Sequence, residues 1–185
     1  MGDGAKHAST RRLKTREQLF PGSGTEVFDP TDRATKGYAQ VPRVVPIVAR
    51  LINERGGVVN AGPLYQVLWA QDWGQGIVEV RSYRQLLFEA GYNGKGSRVE
   101  RTWEERIRIL QNLGFIRTAK RGLDTYGYIL LVDPHVAALR LERATKSVPA
   151  LKDWFVQFRL VCEQWGIDLG ALDAKASVVP TGLAS

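Results

Sequence analysis

The chain has 185 residues, 44% hydrophobic and 24% charged, with a formal net charge of +7. That suits one medium domain, or a small domain with an added helical piece, and provides for a real core. The longest apolar run, Tyr128 to Val132, excludes a helical bilayer span.

The start, Met-Gly-Asp-Gly, holds no apolar signal region, and the single Cys162 cannot form an internal disulfide. A reducing cytoplasm is therefore the expected home. The charge is local. Residues 81–121 hold ten Lys/Arg against four Asp/Glu, residues 41–80 hold three of each, and residues 122–185 hold six against seven. Cations gathered in one segment point to a polyanion partner, whereas a charge that serves solubility would spread.

Residues 1–40 lack sustained periodicity and are expected to form a flexible basic arm. Its run Arg11, Arg12, Lys14 and Arg16 suits phosphates or a minor groove, and equally a solvated tail. A first helix is expected over Val41 to Glu54, with Pro46 delaying or kinking its start and Gly56-Gly57 ending it. A second should run from Pro63 to Ala70. Ile77 to Val80 has strand character and suits a third strand beside a later hairpin.

Ser82 suits the N-cap of a helix over Tyr83 to Ala90, and Gly91 its exit. The Gly/Asn-rich stretch Tyr92 to Gly96 follows, and its N–H groups with Lys95 suit an anion, or form a plain turn. Ser97 with Glu100 has the spacing of a capping box for a helix over 97–113. On that helix Val99, Trp103, Ile107, Leu110 and Leu113 make one apolar stripe, while Arg98, Arg101, Glu105, Arg108 and Asn112 make the opposite face. Gly114 stops it. Phe115 to Ala119 and Tyr126 to Val132 are the expected hairpin strands, joined by a basic loop from Lys120 to Thr125. Asp133-Pro134 should cap a helix to about Thr145. The final helix, Leu151 to Trp165, carries Trp154, Phe155, Phe158 and Trp165, which suit either packing on the chain's own core or a dimer or partner interface. Cys162 on that stripe is expected to be a packed, inert thiol.

From Ser82 to Val132 the chain resembles the winged-helix superfamily. Leu86-Leu-Phe-Glu-Ala-Gly91 is similar to the end of the first helix of that motif. Thr102, Trp103, Ile107, Leu110, Leu113, Gly114 and Ile116 are similar to its second helix and the exit into the wing. The resemblance implies a mainly α fold with a small antiparallel sheet: a winged helix-turn-helix core over 41–133, a C-terminal helical extension over 134–172, and a flexible tail over 173–185.

It also implies a sequence-specific binder of double-stranded DNA, reading the major groove with helix 97–113 and holding phosphates with wing 117–126. Arg98 and Arg101, near the helix start, suit base edges. Ser97, Thr102, Glu105 and Arg108 join them, Lys120 and Arg121 serve the wing, and Arg81, Arg84 and Lys95 face the backbone. Two features depart from the family pattern. The turn between Gly91 and Thr102 is long, and Glu104 and Glu105 put carboxylates toward phosphates, although a glutamate can accept from cytosine N4. A transcriptional regulator is the first expectation, with a plasmid or mobile-element replication or partition factor, or a protein-docking scaffold subunit, as alternatives. No enzyme activity, metal or cofactor is expected: His7 and His135 lack ligand spacing, and no nucleophile stands in a triad context.

Overall fold

The computed structural model describes residues 40–72, 74–94, 96–145 and 151–177, with Lys14, Thr15, Gln18 and Leu19 ahead of them. The chain divides into two compact units, Met1–Tyr38 and Ala39–Ser185. In the first, the four described residues are helical; Arg11, Arg12 and Arg16 lie outside the described residues, as do Lys95 and the arm's expected flexibility.

The described residues of the second unit form seven helices and three strands. The fold is mainly helical with a small antiparallel sheet, as expected. Helix α1 (Val45–Gly56) starts four residues later than expected. Pro46 falls at its first turn, where a missing N–H costs nothing, and the amide of Val45 bonds instead to the carbonyl of Pro42 at 3.0 Å. Helix α2 (Gly62–Ala70) follows a tight connection in which the amide of Gly62 donates to Asn53 Oδ1 at 2.6 Å.

The buried carboxylate of Asp72 accepts the amides of Gln75 and Gly76 at 3.1 and 2.9 Å, which pins the loop leading into β1 (Ile77–Glu79). Ser82 caps α3 (Tyr83–Glu89), its hydroxyl accepting from the amide of Gln85. Helix α4 (Arg98–Asn112) ends where Gly114, at φ 78°, takes the left-handed turn that a side chain would resist.

Strands β2 (Ile116–Arg121) and β3 (Asp124–Leu131) extend further toward each other than expected, leaving only Gly122-Leu123 between them. Most of the expected loop from Lys120 to Thr125 is thus strand. The sheet order is β1-β3-β2, with Ile77 opposite Leu130 and Ile116 opposite Leu131. The register shifts between Ala119 and Arg121, and there Gly127 lies so close to Arg121 that an added Cβ would meet its backbone nitrogen at 2.8 Å.

The buried stripe of α4 (Val99, Trp103, Ile107 and Leu110) shares one core with α1, α2 and the inner sheet face. Phe115 seats edge-on against Tyr65 at 5.5 Å between centroids. Asp133 caps α5 (Pro134–Ala144). Helix α6 (Lys152–Gln164) buries Trp154, Phe155 and Phe158 in the same core, with the Trp154 and Phe158 rings stacked at 5.2 Å. Of the four aromatics offered for an interface, then, only Trp165 stays exposed. The three buried rings pack within the core of their own chain.

The sequence gives no sign of α7 (Leu169–Ser177), which runs across the boundary of the expected tail. It is held by Arg143, whose guanidinium bonds the carbonyl of Asp173 at 2.9 Å and its carboxylate at 2.7 Å, and by Arg140 on the carbonyl of Ala176. Burial pushes the Cys162 thiol up to about 11, so it stays protonated. No helix among the described residues is long and apolar enough to cross a membrane.

Candidate nucleic-acid interface

Successive residues of an α-helix turn by about 100°. The buried stripe of α4 therefore dictates that Arg98, Arg101, Glu105, Arg108 and Asn112 face away from the core. Arg98, Arg101, Arg108 and Asn112 are exposed and Glu105 is half-buried. Their circumstances differ. Arg101 Nε donates to Glu105 Oε1 at 2.8 Å, and that bond, with the nearby negative charge, raises the guanidinium's already high pKa. The Arg98 and Arg108 side chains carry no hydrogen bond or ion pair among the described residues.

The two flanks of α4 are fixed in different ways. Toward the sheet, Gln111 Nε2 donates to Thr118 Oγ1 at 2.8 Å, which sets the hairpin beside the helix. Toward α1, the Arg106 guanidinium lies 4.0 Å over the Tyr92 ring while its NH1 donates to the carbonyl of Thr102 at 3.0 Å. The Tyr92 hydroxyl in turn donates to the carbonyl of Asn60. The long connection between α3 and α4 is thereby tied to the start of α2, and α4 is held from both sides. Thr102 is half-buried and faces that flank rather than the arginine face. Ser97 is exposed but makes no side-chain cap, because its helical backbone (φ −65°, ψ −19°) already belongs to the turn. The expected capping box with Glu100 does not form.

Glu100 and Glu104 occupy the sheet-side flank. With Arg81, Arg84 and Asp124 they line a groove of about 400 Å³ between the starts of α3 and α4 and the hairpin, floored by Trp103 and Tyr126. Arg81 is exposed and sits 3.7 Å from Glu79. Arg84 lies 6.0 Å from the Tyr83 ring centroid.

The hairpin separates two neighbouring cations that sequence treats alike. Lys120 is exposed. Arg121 is engaged end-on, NH1 with the carboxylate of Glu79 on β1 and NH2 with Asp124 at 3.5 Å. Both bonds raise its pKa, the one to Glu79 most. Arg121 therefore latches the hairpin to β1 rather than offering a free charge. Arg117, exposed on β2, is an outward cation that the loop-centred expectation passed over; its position in the alternating strand was the available signal. Leu123 stands fully exposed at the tip. Neither a protein-family model, nor a curated protein, nor a solved structure matches the chain.

Proposed function

We propose that residues 41–133 form a winged helix that binds double-stranded DNA sequence-specifically, with α4 in the major groove and the β2–β3 hairpin against the flanking backbone. The observation that carries this is the outward face of α4: Arg98, Arg101 and Arg108 stand exposed on one side of a helix whose other side is sunk in the core. A helix pair followed by a hairpin, with a short third strand on the hairpin's free side, is the arrangement a winged helix needs, and the strand order supports it. A major groove about 12 Å wide admits such a helix.

The reading is one of binding rather than catalysis. A transcriptional regulator acting on chromosomal DNA in the cytoplasm is its simplest form. Selection of bound fragments from a random duplex pool, followed by footprints, tests it. One enriched motif and one protected site per fragment support a regulator, whereas arrayed sites point to a replication or partition factor. Absence of any enrichment overturns the proposal.

One observation favours a second reading. Glu100, Glu104 and Asp124 line the groove where a phosphate backbone would pass between helix and wing. Three carboxylates against two arginines disfavour a polyanion there and suit a protein partner with basic side chains.

A further inference from the structure

We propose that Glu105 is a positioning residue that aims the Arg101 fork outward, making Arg101 the base reader of α4 and leaving Arg98 and Arg108 to hold phosphates. The inference deepens the DNA-binding proposal and depends on it.

The atoms used decide the matter. A guanidinium offers five N–H donors, one on Nε and two on each terminal nitrogen. Glu105 takes Nε alone, at 2.8 Å. The terminal pair, which matches the O6 and N7 acceptors of guanine, is left open. Two other arginines, outside that i,i+4 arrangement, are engaged through their terminal nitrogens. Arg121 has NH1 and NH2 on separate carboxylates, and Arg159 gives NH2 as well as Nε to Glu142. An end-on pair covers the fork, whereas a side-on pair steers it.

Exposure agrees with that division. The Arg101 side chain is 81% exposed and that of Glu105 33%, so the carboxylate supports the guanidinium from beneath rather than standing in front of it. Arg98 and Arg108 lack such a support among the described residues. Each would lose rotamer freedom on meeting one specific base edge, but a phosphate accepts many approaches. Glu105 also stands among three arginines on a face proposed to meet a polyanion, where a carboxylate repels. A positioning role offsets that repulsion. The competing role is plain helix support, since Arg50 Nε bonds Glu54 Oε1 with the same spacing and distance on α1.

A double-mutant cycle separates the two roles. The full chain, Glu105→Gln, Arg101→Ala and the double variant are titrated by fluorescence anisotropy at fixed salt. The probes are the parent's selected duplex, single base-pair substitutions of it, and a scrambled duplex; thermal melts check folding. The parent should discriminate about tenfold or more at one G·C pair. Glu105→Gln should reduce this to about threefold or less at that same pair, with binding to the scrambled duplex unchanged or tighter. Arg101→Ala should abolish it, and adding Glu105→Gln should then change nothing further. A Glu105→Gln variant that melts earlier but keeps its discrimination overturns the inference and leaves Glu105 as helix support. A change at a different base pair from that of Arg101→Ala also overturns it, by making Glu105 a reader in its own right. A parent that prefers no duplex at all ends the DNA-binding proposal itself, and this inference with it.

Discussion

Lys120 and Arg121 are adjacent in sequence, yet only substitution of Lys120 should change the salt dependence of DNA binding. A cation adds to the salt dependence of DNA binding only if it neutralises a phosphate, each contributing about 0.9 to the slope of log K against log salt. Lys120 is exposed and able to do so, whereas Arg121 already has a carboxylate on each terminal nitrogen. If Arg98, Arg108 and Lys120 each meet one phosphate, the slope is about −2.7, and Arg81 and Arg84 extend it toward about −4.5. Lys120→Ala should flatten that slope by about 0.9, so a fourfold rise in salt weakens the variant about 3.5-fold less than the parent. Arg121→Ala should leave the slope within about 0.3 of the parent while loosening the hairpin from β1. Anisotropy titrations over a salt series read both effects. Equal flattening by the two substitutions would refute the view that Glu79 and Asp124 keep Arg121 occupied.

Three further outcomes follow from the same geometry. Glu100→Gln combined with Glu104→Gln should tighten binding to every duplex by about threefold, because two repulsive carboxylates leave the groove beside the hairpin; unchanged or weaker DNA binding in anisotropy titrations would instead favour a protein in that groove. Trp103→Ala removes a buried ring that packs 6.0 Å from Tyr83, and should destabilise the fold by roughly 3–5 kcal/mol in denaturant melts. A loss under about 1 kcal/mol would mean that α4 is not seated on this stripe. Asp133→Ala should cost about 1 kcal/mol at neutral pH by uncapping α5. Partial burial opposes ionisation of Asp133, but bonds from the His135 ring and amide and from the amide of Val136 outweigh it and hold the carboxyl below its usual range. Its contribution is therefore complete above the ordinary aspartate value near 4 and is lost as pH falls through the lower folded value. The variant's acid-unfolding limb should be correspondingly shallower, and an identical limb would remove Asp133 from the account.

Much of the fold was legible because its signals are local. The stripe from Val99 to Leu110 lies within one helix, and the Ser82 cap, the Asp133-Pro134 start and the strand character of Ile77 each lie within a few residues. Helix α7 was not. It is short, rich in small residues and held by arginines thirty or more positions earlier in the chain, so no amphipathic pattern announces it. The candidate site divides along the same line. Helical periodicity alone showed which arginines of α4 face outward. It could not show which cations were already engaged, because the partner of Arg121 lies 42 positions away in Glu79, and Tyr92 reaches Arg106 only through the tertiary fold. Strand lengths failed for a related reason: residues 120–125 look like a charged loop until cross-strand pairs at Arg121 and Asp124 extend the ladder.

Chemical modification of arginines by a dicarbonyl reagent, mapped by mass spectrometry with and without the selected duplex, addresses the central claim at the residues themselves. Arg50, highly exposed on α1, serves as the internal reference. Duplex DNA should shield Arg98, Arg101 and Arg108 while Arg50 reacts as before. Unaltered reactivity at all three under saturating duplex would contradict the account, whatever affinity the chain shows.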